Sequence, residues 1–317
     1  MNREAVTGLL LILLSSAAFG TSGALAKGLL LTGWSPAAAV TFRVAIGAVL
    51  LSVPAALSLR GRWRTLLRNW KKIALFGALG VAGCQLAYFL AVQRLSVGVA
   101  LLLEYCAVLL VVLWLWFRHG QAPRPLTIIG TVIAVAGLVL ILDVFGVVQV
   151  DPLGVMWGLI AATGLATYFV ISADGDGDLP PLALAAGGLV TGTVLLLVAG
   201  ALGIVPFTLN SADVELAGQF VPWWLDILIL GVVAAALSYL TGIAGTRKLG
   251  PKLASFVGLS EVLFAVMWAW LLLAELPRPV QLLGGVLVLG GVAVVRLDGE
   301  GEPGPGPAPV AEAGAQD

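Results

Sequence analysis

Three ionisable side chains stand inside long apolar stretches of the sequence: Arg43, Glu104 and Glu261. A charge near the centre of a bilayer costs at least about 2.5 to 3.5 kcal/mol, so it must face protein or water and find a partner. At about 1.5 Å per residue, Arg43 lies about 10 Å and Glu104 about 12 Å from the same predicted boundary, and Glu261 about 14 Å from the opposite one. The three are therefore predicted to share a depth near the middle of a membrane.

Carboxylates at this depth can bind a cationic group or exchange protons. We predict that Arg43 and Glu104 pair directly or bridge through a bound solute. The alternative is structural: a permanent salt bridge would fix the helix packing, and an arginine tied to backbone carbonyls would orient its helix. Both interpretations stay open for the two acids and for Arg43.

Polar residues near these charges are weaker candidates. Gln85 and Tyr88 are three positions apart and would share one face of a helix. Tyr239 corresponds to Gln85 in an internal repeat, and Tyr105 follows Glu104. Tyrosine is also common at membrane boundaries and in packing. The predicted substrate or proton site comprises Arg43, Gln85, Tyr88, Glu104, Tyr105, Tyr239 and Glu261.

The composition predicts a membrane protein. Of 317 residues, 60% are hydrophobic and 11% are charged. A soluble domain of this length needs far more polar surface, so we predict an all-α integral membrane protein. The 17 Lys plus Arg balance the 17 Asp plus Glu, so no net field would attract nucleic acid.

Other residue types that carry chemistry are scarce or isolated. His119 is the only histidine, and Cys84 and Cys106 lie in apolar stretches, where we interpret them as small buried hydrophobes. The acidic run 174–178 lacks the glycine and the final glutamate of a calcium loop. The sequence also contains no phosphate-binding glycine loop. It therefore predicts no cofactor, no metal site and no enzymatic activity.

Segments of about 20 apolar residues are long enough to cross a bilayer, and the sequence contains ten of roughly that length. They lie near 5–26, 36–58, 72–92, 97–117, 125–142, 153–172, 182–204, 223–245, 253–273 and 279–296. Basic residues in short loops stay in the cytoplasm, and most of them fall there if both termini are cytoplasmic. We predict a multi-pass protein of the cytoplasmic membrane in that orientation, with Lys27 snorkelling to the outer interface.

An internal repeat without gaps runs through the sequence at an offset of 154 residues. It aligns 124–130 with 278–284, and it pairs glycines, prolines and tryptophans. Each unit would hold five spans, and an odd number makes the second copy enter the membrane from the opposite side. We predict ten transmembrane helices as two inverted five-helix repeats, over residues 1–146 and 147–297. Residues 298–317 are predicted to form a disordered cytoplasmic tail.

Short motifs resemble the EamA branch of the drug/metabolite transporter superfamily. They are Thr41-Phe42-Arg43, Arg94-Leu95-Ser96, Leu103-Glu104-Tyr105, Leu259-Ser260-Glu261-Val262, and Gly284, Gly285, Gly290 and Gly291 of the last segment. The resemblance covers the chain except its tail. It implies a ten-helix carrier of small metabolites, amino acids or drugs, often an exporter. The sequence departs from the family at Val108 and Val262, where a proline usually follows each glutamate.

The predicted function is a secondary transporter that works by alternating access, with export as the direction that the resemblance implies. Its predicted partners are a small-molecule solute and the lipid bilayer, with a coupling proton and a homodimer left as options and nucleic acid excluded. Two rival functions stay open. An intramembrane lipid-modifying enzyme is disfavoured because no histidine or paired nucleophile lies at membrane depth. A non-transporting membrane partner or sensor would leave solute levels unchanged in a deletion strain.

Overall fold

The computed structural model describes residues 3–95, 97–120, 122–141, 151–174, 179–273 and 279–299. Within these ranges the chain is mostly helical, and strands β1 (Val214–Leu216) and β2 (Gln219–Val221) form an antiparallel hairpin. The helices are α1 (Arg3–Leu31), α2 (Pro36–Ser58), α3 (Trp63–Arg68), α4 (Trp70–Leu75), α5 (Cys84–Val92), α6 (Val97–Tyr105), α7 (Ala107–His119), α8 (Pro125–Ile141), α9 (Pro152–Ala173), α10 (Pro181–Ala201), α11 (Trp223–Gly231), α12 (Ser238–Gly258), α13 (Ser260–Leu273) and α14 (Pro279–Gly299). Two π-helical segments, Phe76–Gly83 and Val232–Leu237, join α4 to α5 and α11 to α12.

Among the described residues, six helical segments are long and apolar enough to span a membrane. They are Arg3–Leu31, Pro36–Ser58, Trp70–Ala91, Pro152–Ala173, Pro181–Ala201 and Trp223–Gly258. Large apolar side chains on the outside, such as Val49 at 72% and Phe117 at 78% exposure, suit contact with lipid. The predicted spans near 97–117, 125–142, 253–273 and 279–296 are not matched by separate segments among these six, so the predicted count of ten is not confirmed.

Two segments that were predicted as continuous spans are broken near their middle. Residues 97–117 divide into α6 and α7 at Cys106, whose N–H donates to the Leu103 carbonyl at 3.1 Å. Residues 253–273 divide at Leu259, whose N–H donates to the Phe256 carbonyl at 3.1 Å. These bonds reach back three residues instead of four and therefore tighten the helix locally. A further kink at Gly250, with φ of 77°, replaces the predicted loop between the eighth and ninth spans.

The helix interruptions lie at equivalent positions of the internal repeat. Cys106 corresponds to Ser260, directly after the break at Leu259, and the π-helical residues Val232–Leu237 correspond to positions 78–83 of the other π-helical segment. The same unusual backbone features therefore recur at equivalent places, as expected if the two halves of the chain adopt one fold.

Glycines show how the equivalent helices α8 and α14 pack against each other. A Cβ on Gly291 would lie 2.6 Å from the Gly130 carbonyl oxygen, and a Cβ on Gly137 would lie 2.6 Å from the Gly284 carbonyl oxygen. Side chains at these positions would prevent the close approach. The contact partners run in opposite order along the two helices, so α8 and α14 are antiparallel.

Polar contacts connect the helix ends into two separate groups. At one end, Lys248 lies 3.9 Å from Glu4, the neighbouring Arg247 donates to the Leu179 carbonyl at 2.7 Å, and Lys72 pairs with Asp174 at 2.8 Å. We call this the basic end. These contacts group the links after the second, sixth and eighth predicted spans with the beginning of α1, as the predicted topology requires.

The opposite end carries the β1–β2 hairpin, and we call it the hairpin end. There the Trp34 indole donates to the Asn210 carbonyl at 2.6 Å. Val214 of β1 packs on Gly28 of α1, and the Ala217 N–H in the turn donates to the Leu272 carbonyl of α13 at 2.6 Å. The hairpin therefore bridges α1 and α13.

Some sequence predictions fall outside the described residues. These are the boundary between the repeats at 146/147, Ser96, Arg278, the acidic positions 175–178 and the tail from residue 300 onward. Helix α14 continues through Gly299, and the predicted bounds of the repeats and the tail stay predictions.

Candidate functional site

A cavity of about 200 Å³ lies between α1, α2, α5, α6 and α13. Five of the seven predicted site residues line it: Arg43, Gln85, Tyr88, Glu104 and Glu261. It extends towards the hairpin end, where the exposed Lys27 of α1 and Ala269 of α13 also line it. The cavity therefore joins carboxylates from both halves of the chain to an opening at the hairpin end.

Arg43 is 1% exposed and is held by three different elements. Its Nη1 donates to Ser22 Oγ at 2.9 Å and to Gln85 Oε1 at 2.8 Å, and its Nη2 donates to the Ala234 carbonyl at 2.6 Å. Ala234 belongs to the second π-helical segment, where the regular four-residue hydrogen-bond pattern is interrupted. The π-helical segment thus supplies a carbonyl acceptor for a buried guanidinium.

The predicted direct pair between Arg43 and Glu104 is not among the contacts found for the described residues. The guanidinium instead donates to neutral groups, and it lies 5.6 Å from the centre of the Phe19 ring. Those neutral acceptors leave part of its charge uncompensated beside the cavity. Bridging between Arg43 and Glu104 through a bound solute stays a prediction.

Glu104 lies in the last turn of α6 and is 8% exposed. Its Oε1 is 3.3 Å from Cys84 Sγ, which is 2% exposed and also lies 3.5 Å from the Ala161 carbonyl. Cys84 was interpreted from the sequence as a small buried hydrophobe. That interpretation is incomplete, because the thiol is a polar neighbour of a cavity-lining carboxylate.

Glu261 owes its position to the break at Leu259. Helix α13 begins at Ser260, so the carboxylate lies in the first turn, where the helix dipole favours negative charge. The Tyr105 hydroxyl donates to the Gly258 carbonyl, directly before this break, at 3.5 Å. This contact joins the two broken helices, because Tyr105 is the last residue of α6.

Two predicted site residues do not line the cavity. Tyr105 is 4% exposed with its hydroxyl 3.5 Å from the Gly258 carbonyl, and Tyr239 is 1% exposed with its hydroxyl 3.4 Å from the Gly80 carbonyl. The sequence reasoning missed the cavity residues Phe19 and Ser22 of α1, which stand close to Lys27 in an apolar helix. Only the three-residue spacing of Phe19 and Ser22 on one helix face could have indicated them.

A family comparison identifies the family to which this chain belongs. The EamA-like transporter family matches residues 6–143 and again residues 152–297. The chain belongs to the EamA-like transporter family. The two matches also correspond to the two halves that the internal repeat defines, and the chain is a multi-pass membrane transporter.

Several relatives of this EamA-like chain are named as transporters. The uncharacterized transporter YdfC of Bacillus subtilis (strain 168) is 26% identical over 270 residues, covering 84% of each chain. An uncharacterized transporter of Archaeoglobus fulgidus is 26% identical over 222 residues, covering 70% of this chain and 74% of the relative. The threonine/homoserine exporter RhtA of Salmonella typhimurium (strain SL1344) is 25% identical over 232 residues, covering 73% and 70%.

A solved crystal structure has the same fold. It aligns with a TM-score of 0.74 over 93% of this chain and 98% of its own, at 20% sequence identity. At this identity the likeness supports the fold alone.

Proposed function

We propose that this EamA-like transporter is a secondary carrier that exports a small solute by alternating access between two inverted five-helix repeats. The observation that carries the proposal is the shared cavity, in which Glu104 of the first repeat and Glu261 of the second lie with Arg43. Intramembrane ionisable groups that face one cavity are typical of solute and proton pathways. One acid from each half allows both halves to sense the same occupant.

The antiparallel packing of α8 and α14 supports the inverted arrangement. These helices are equivalent in the repeat, and their opposite directions support two copies that thread the membrane in opposite senses. The first repeat would cover residues 1–146 and the second 147–297. Because Arg60, Arg62, Arg64, Arg68, Lys71 and Lys72 cluster between the second and third spans, we assign the basic end and both termini to the cytoplasm.

The cavity suits a solute that carries a cationic group. The two carboxylates would bind that group or a coupling proton, and Arg43 would attract an anionic group on the same molecule. Metabolites, amino acids and drug-like compounds include such solutes, and one relative is named as a threonine/homoserine exporter. L-Threonine is therefore a suitable first probe, and comparing metabolites secreted by cells with and without the protein would identify others.

Transport by proteoliposomes tests the role of the acids. Glu104→Gln and Glu261→Gln should each lower the initial rate about tenfold or more and flatten its pH dependence, because the amide cannot bind a proton or a cation as a carboxylate does. Glu215→Gln, on the exposed face of the hairpin, is the matched control and should transport normally. Full transport with unchanged pH dependence in both site variants would show that the acids do not carry this role.

Reporter tags test the topology separately. A tag after Arg124 and a tag after Arg278 should appear on opposite sides of the membrane, because each site begins the last span of one repeat. Both tags on the same side would contradict the inverted repeats.

A further inference from the structure

The cavity ends in a cluster of aromatic rings on its basic-end side. Phe19, which lines the cavity, lies 5.1 Å from Tyr239, and Tyr239 lies 5.7 Å from Tyr168, as ring centroids. Tyr168 in turn lies 5.7 Å from Phe76 and 5.2 Å from Phe169. The described structure is thus open towards the hairpin end and packed with rings towards the basic end.

Reciprocal contacts extend the repeat to the helices that carry these rings. A Cβ on Gly8 would lie 2.9 Å from Lys248 Cβ, and a Cβ on Gly154 would lie 3.1 Å from the Cβ of Arg94, which corresponds to Lys248. Gly8 and Gly154 are therefore equivalent, so α1 and α9 match with an offset of 146, which is 154 minus 8.

A second reciprocal pair relates α2 to α10. A Cβ on Gly47 would lie 3.0 Å from Ala235 Cβ, and a Cβ on Gly192 would lie 2.8 Å from Val81 Cγ1. Because Val81 corresponds to Ala235, Gly47 and Gly192 are equivalent, with an offset of 145, which is 192 minus 47. Together with the offset of 154 for the later helices, these offsets match residues of α1, α2, α5 and α6 to residues of the second repeat.

Three polar residues of the cavity have glycine counterparts. With the offset of 145, Arg43 corresponds to Gly188. With the offset of 154, Tyr88 corresponds to Gly242 and Glu104 to Gly258. An aromatic ring occupies the space above each glycine. Phe76 lies against Gly188 and the Tyr168 hydroxyl against Gly242, and Phe169 Cζ would be 2.9 Å from a Cβ on Gly258. Three rings therefore cover the glycines that correspond to three polar residues of the cavity.

We propose that Phe76, Tyr168 and Phe169, each seated on a glycine, form the gate that closes the solute route towards the basic end. The proposal rests on the proposed alternating access. When the other state forms, the rings leave their glycines and the counterpart of the cavity opens, while the opening beside Lys27 and Ala269 closes. The glycines are needed because any side chain there would hold the rings away.

Buried hydroxyls beyond the rings support this route. Ser172 lies four residues after Tyr168 and Thr246 lies seven after Tyr239, so each continues the helix face of its ring towards the basic end. Both are 0% exposed, and within the described residues neither hydroxyl oxygen has a hydrogen-bond partner. Buried polar groups rarely lack a hydrogen-bond partner. In the proposed second state, water entering the open route would hydrate both hydroxyls.

Site-specific labelling can test the gate without knowledge of the solute. Ser172→Cys reports on the closed half of the route, and Ala269→Cys reports on the open cavity. In vesicles, a membrane-impermeant maleimide is added on the basic-end side for Ser172→Cys and on the hairpin-end side for Ala269→Cys. Mass spectrometry then measures the labelling rate of each introduced cysteine separately from Cys84 and Cys106. The variants are Phe169→Ala, which removes a ring, and Gly258→Ala, which displaces the same ring without removing it.

We expect both variants to raise labelling of Ser172→Cys by about tenfold and to lower labelling of Ala269→Cys, because the population shifts towards the opposite state. Phe117→Ala, on the exposed face of α7, is the control and should change neither rate. Gel filtration and thermal unfolding verify that each variant is folded.

The outcomes separate the two proposals. If Ser172→Cys is labelled at the same rate with and without Phe169→Ala or Gly258→Ala, the gate proposal is wrong. Alternating access is not contradicted by that result. A rise at Ser172→Cys with no fall at Ala269→Cys identifies the rings as a barrier but contradicts alternating access.

Discussion

Arg43 shows how one side chain can both connect several helices and border a cavity. It is bound by Ser22, Gln85 and the Ala234 carbonyl, which belong to three helices from both repeats, and it also borders the cavity. The structural alternative that the sequence left open is thus supported for this residue. Its charge nevertheless acts on the cavity, because neutral partners do not cancel it.

At the residue scale, we predict that Arg43→Lys destabilises the folded protein by about 1 to 3 kcal/mol. A lysine ammonium cannot reproduce the planar fork that reaches acceptors on three helices. Thermal unfolding in detergent measures the loss, with Arg64→Lys in the exposed basic link as the matched control. Equal midpoints for the two variants would contradict this account of Arg43.

Breaks within helices decide where the two acids lie. The sequence predicted that 97–117 and 253–273 form continuous spans, since both segments are largely apolar and about 20 residues long. The sequence has Val108 and Val262 where the family usually has a proline. The structure keeps a break beside each acid without proline, so tertiary packing produces the interruption.

At the element scale, we predict that Val108→Pro changes the unfolding free energy by less than about 1 kcal/mol. Val108 is the second residue of α7, where proline is well tolerated. Val112→Pro, one turn later, should cost about 3 kcal/mol or more, because it removes an internal hydrogen bond and clashes with the preceding turn. Chemical or thermal unfolding of the pair measures the difference, and comparable losses in both would argue against a break at Cys106.

The whole molecule is organised by its duplication, and this was the most predictable property of the fold. Paired glycines, prolines and tryptophans in one register revealed two units from the sequence alone, and the family matches over 6–143 and 152–297 agree with them. Five cavity residues were also predictable, because an ionisable or polar group inside an apolar segment must face an interior.

Other features depend on packing that a single sequence does not encode locally. The π-helical segments, the Cys84 contact to Glu104 and the aromatic filling towards the basic end arise between helices that are distant along the chain. Tyr105 and Tyr239 illustrate the limit: their faces could be predicted, but not whether a neighbouring side chain would stand between them and the cavity.

At the scale of the whole molecule, we predict that Gly291→Ala destabilises the protein by about 1 to 3 kcal/mol through overpacking at the contact between the repeats. The added Cβ would lie 2.6 Å from the Gly130 carbonyl oxygen. Gly290→Ala is the matched control, because no atom lies within 4 Å of its added Cβ. Its effect should be neutral or slightly stabilising. Equal thermal midpoints would contradict the close packing of α8 and α14.

The hairpin is a surface element through which two cavity-lining helices can be held together. β1 sits on Gly28 of α1, and its turn is bonded to Leu272 of α13, so one small surface unit connects the two helices that carry Lys27 and Ala269. An antibody fragment raised against the exposed Phe220 side of the hairpin would clasp both helices at once. Such a reagent would hold α1 and α13 together at the hairpin end without occupying the cavity between them.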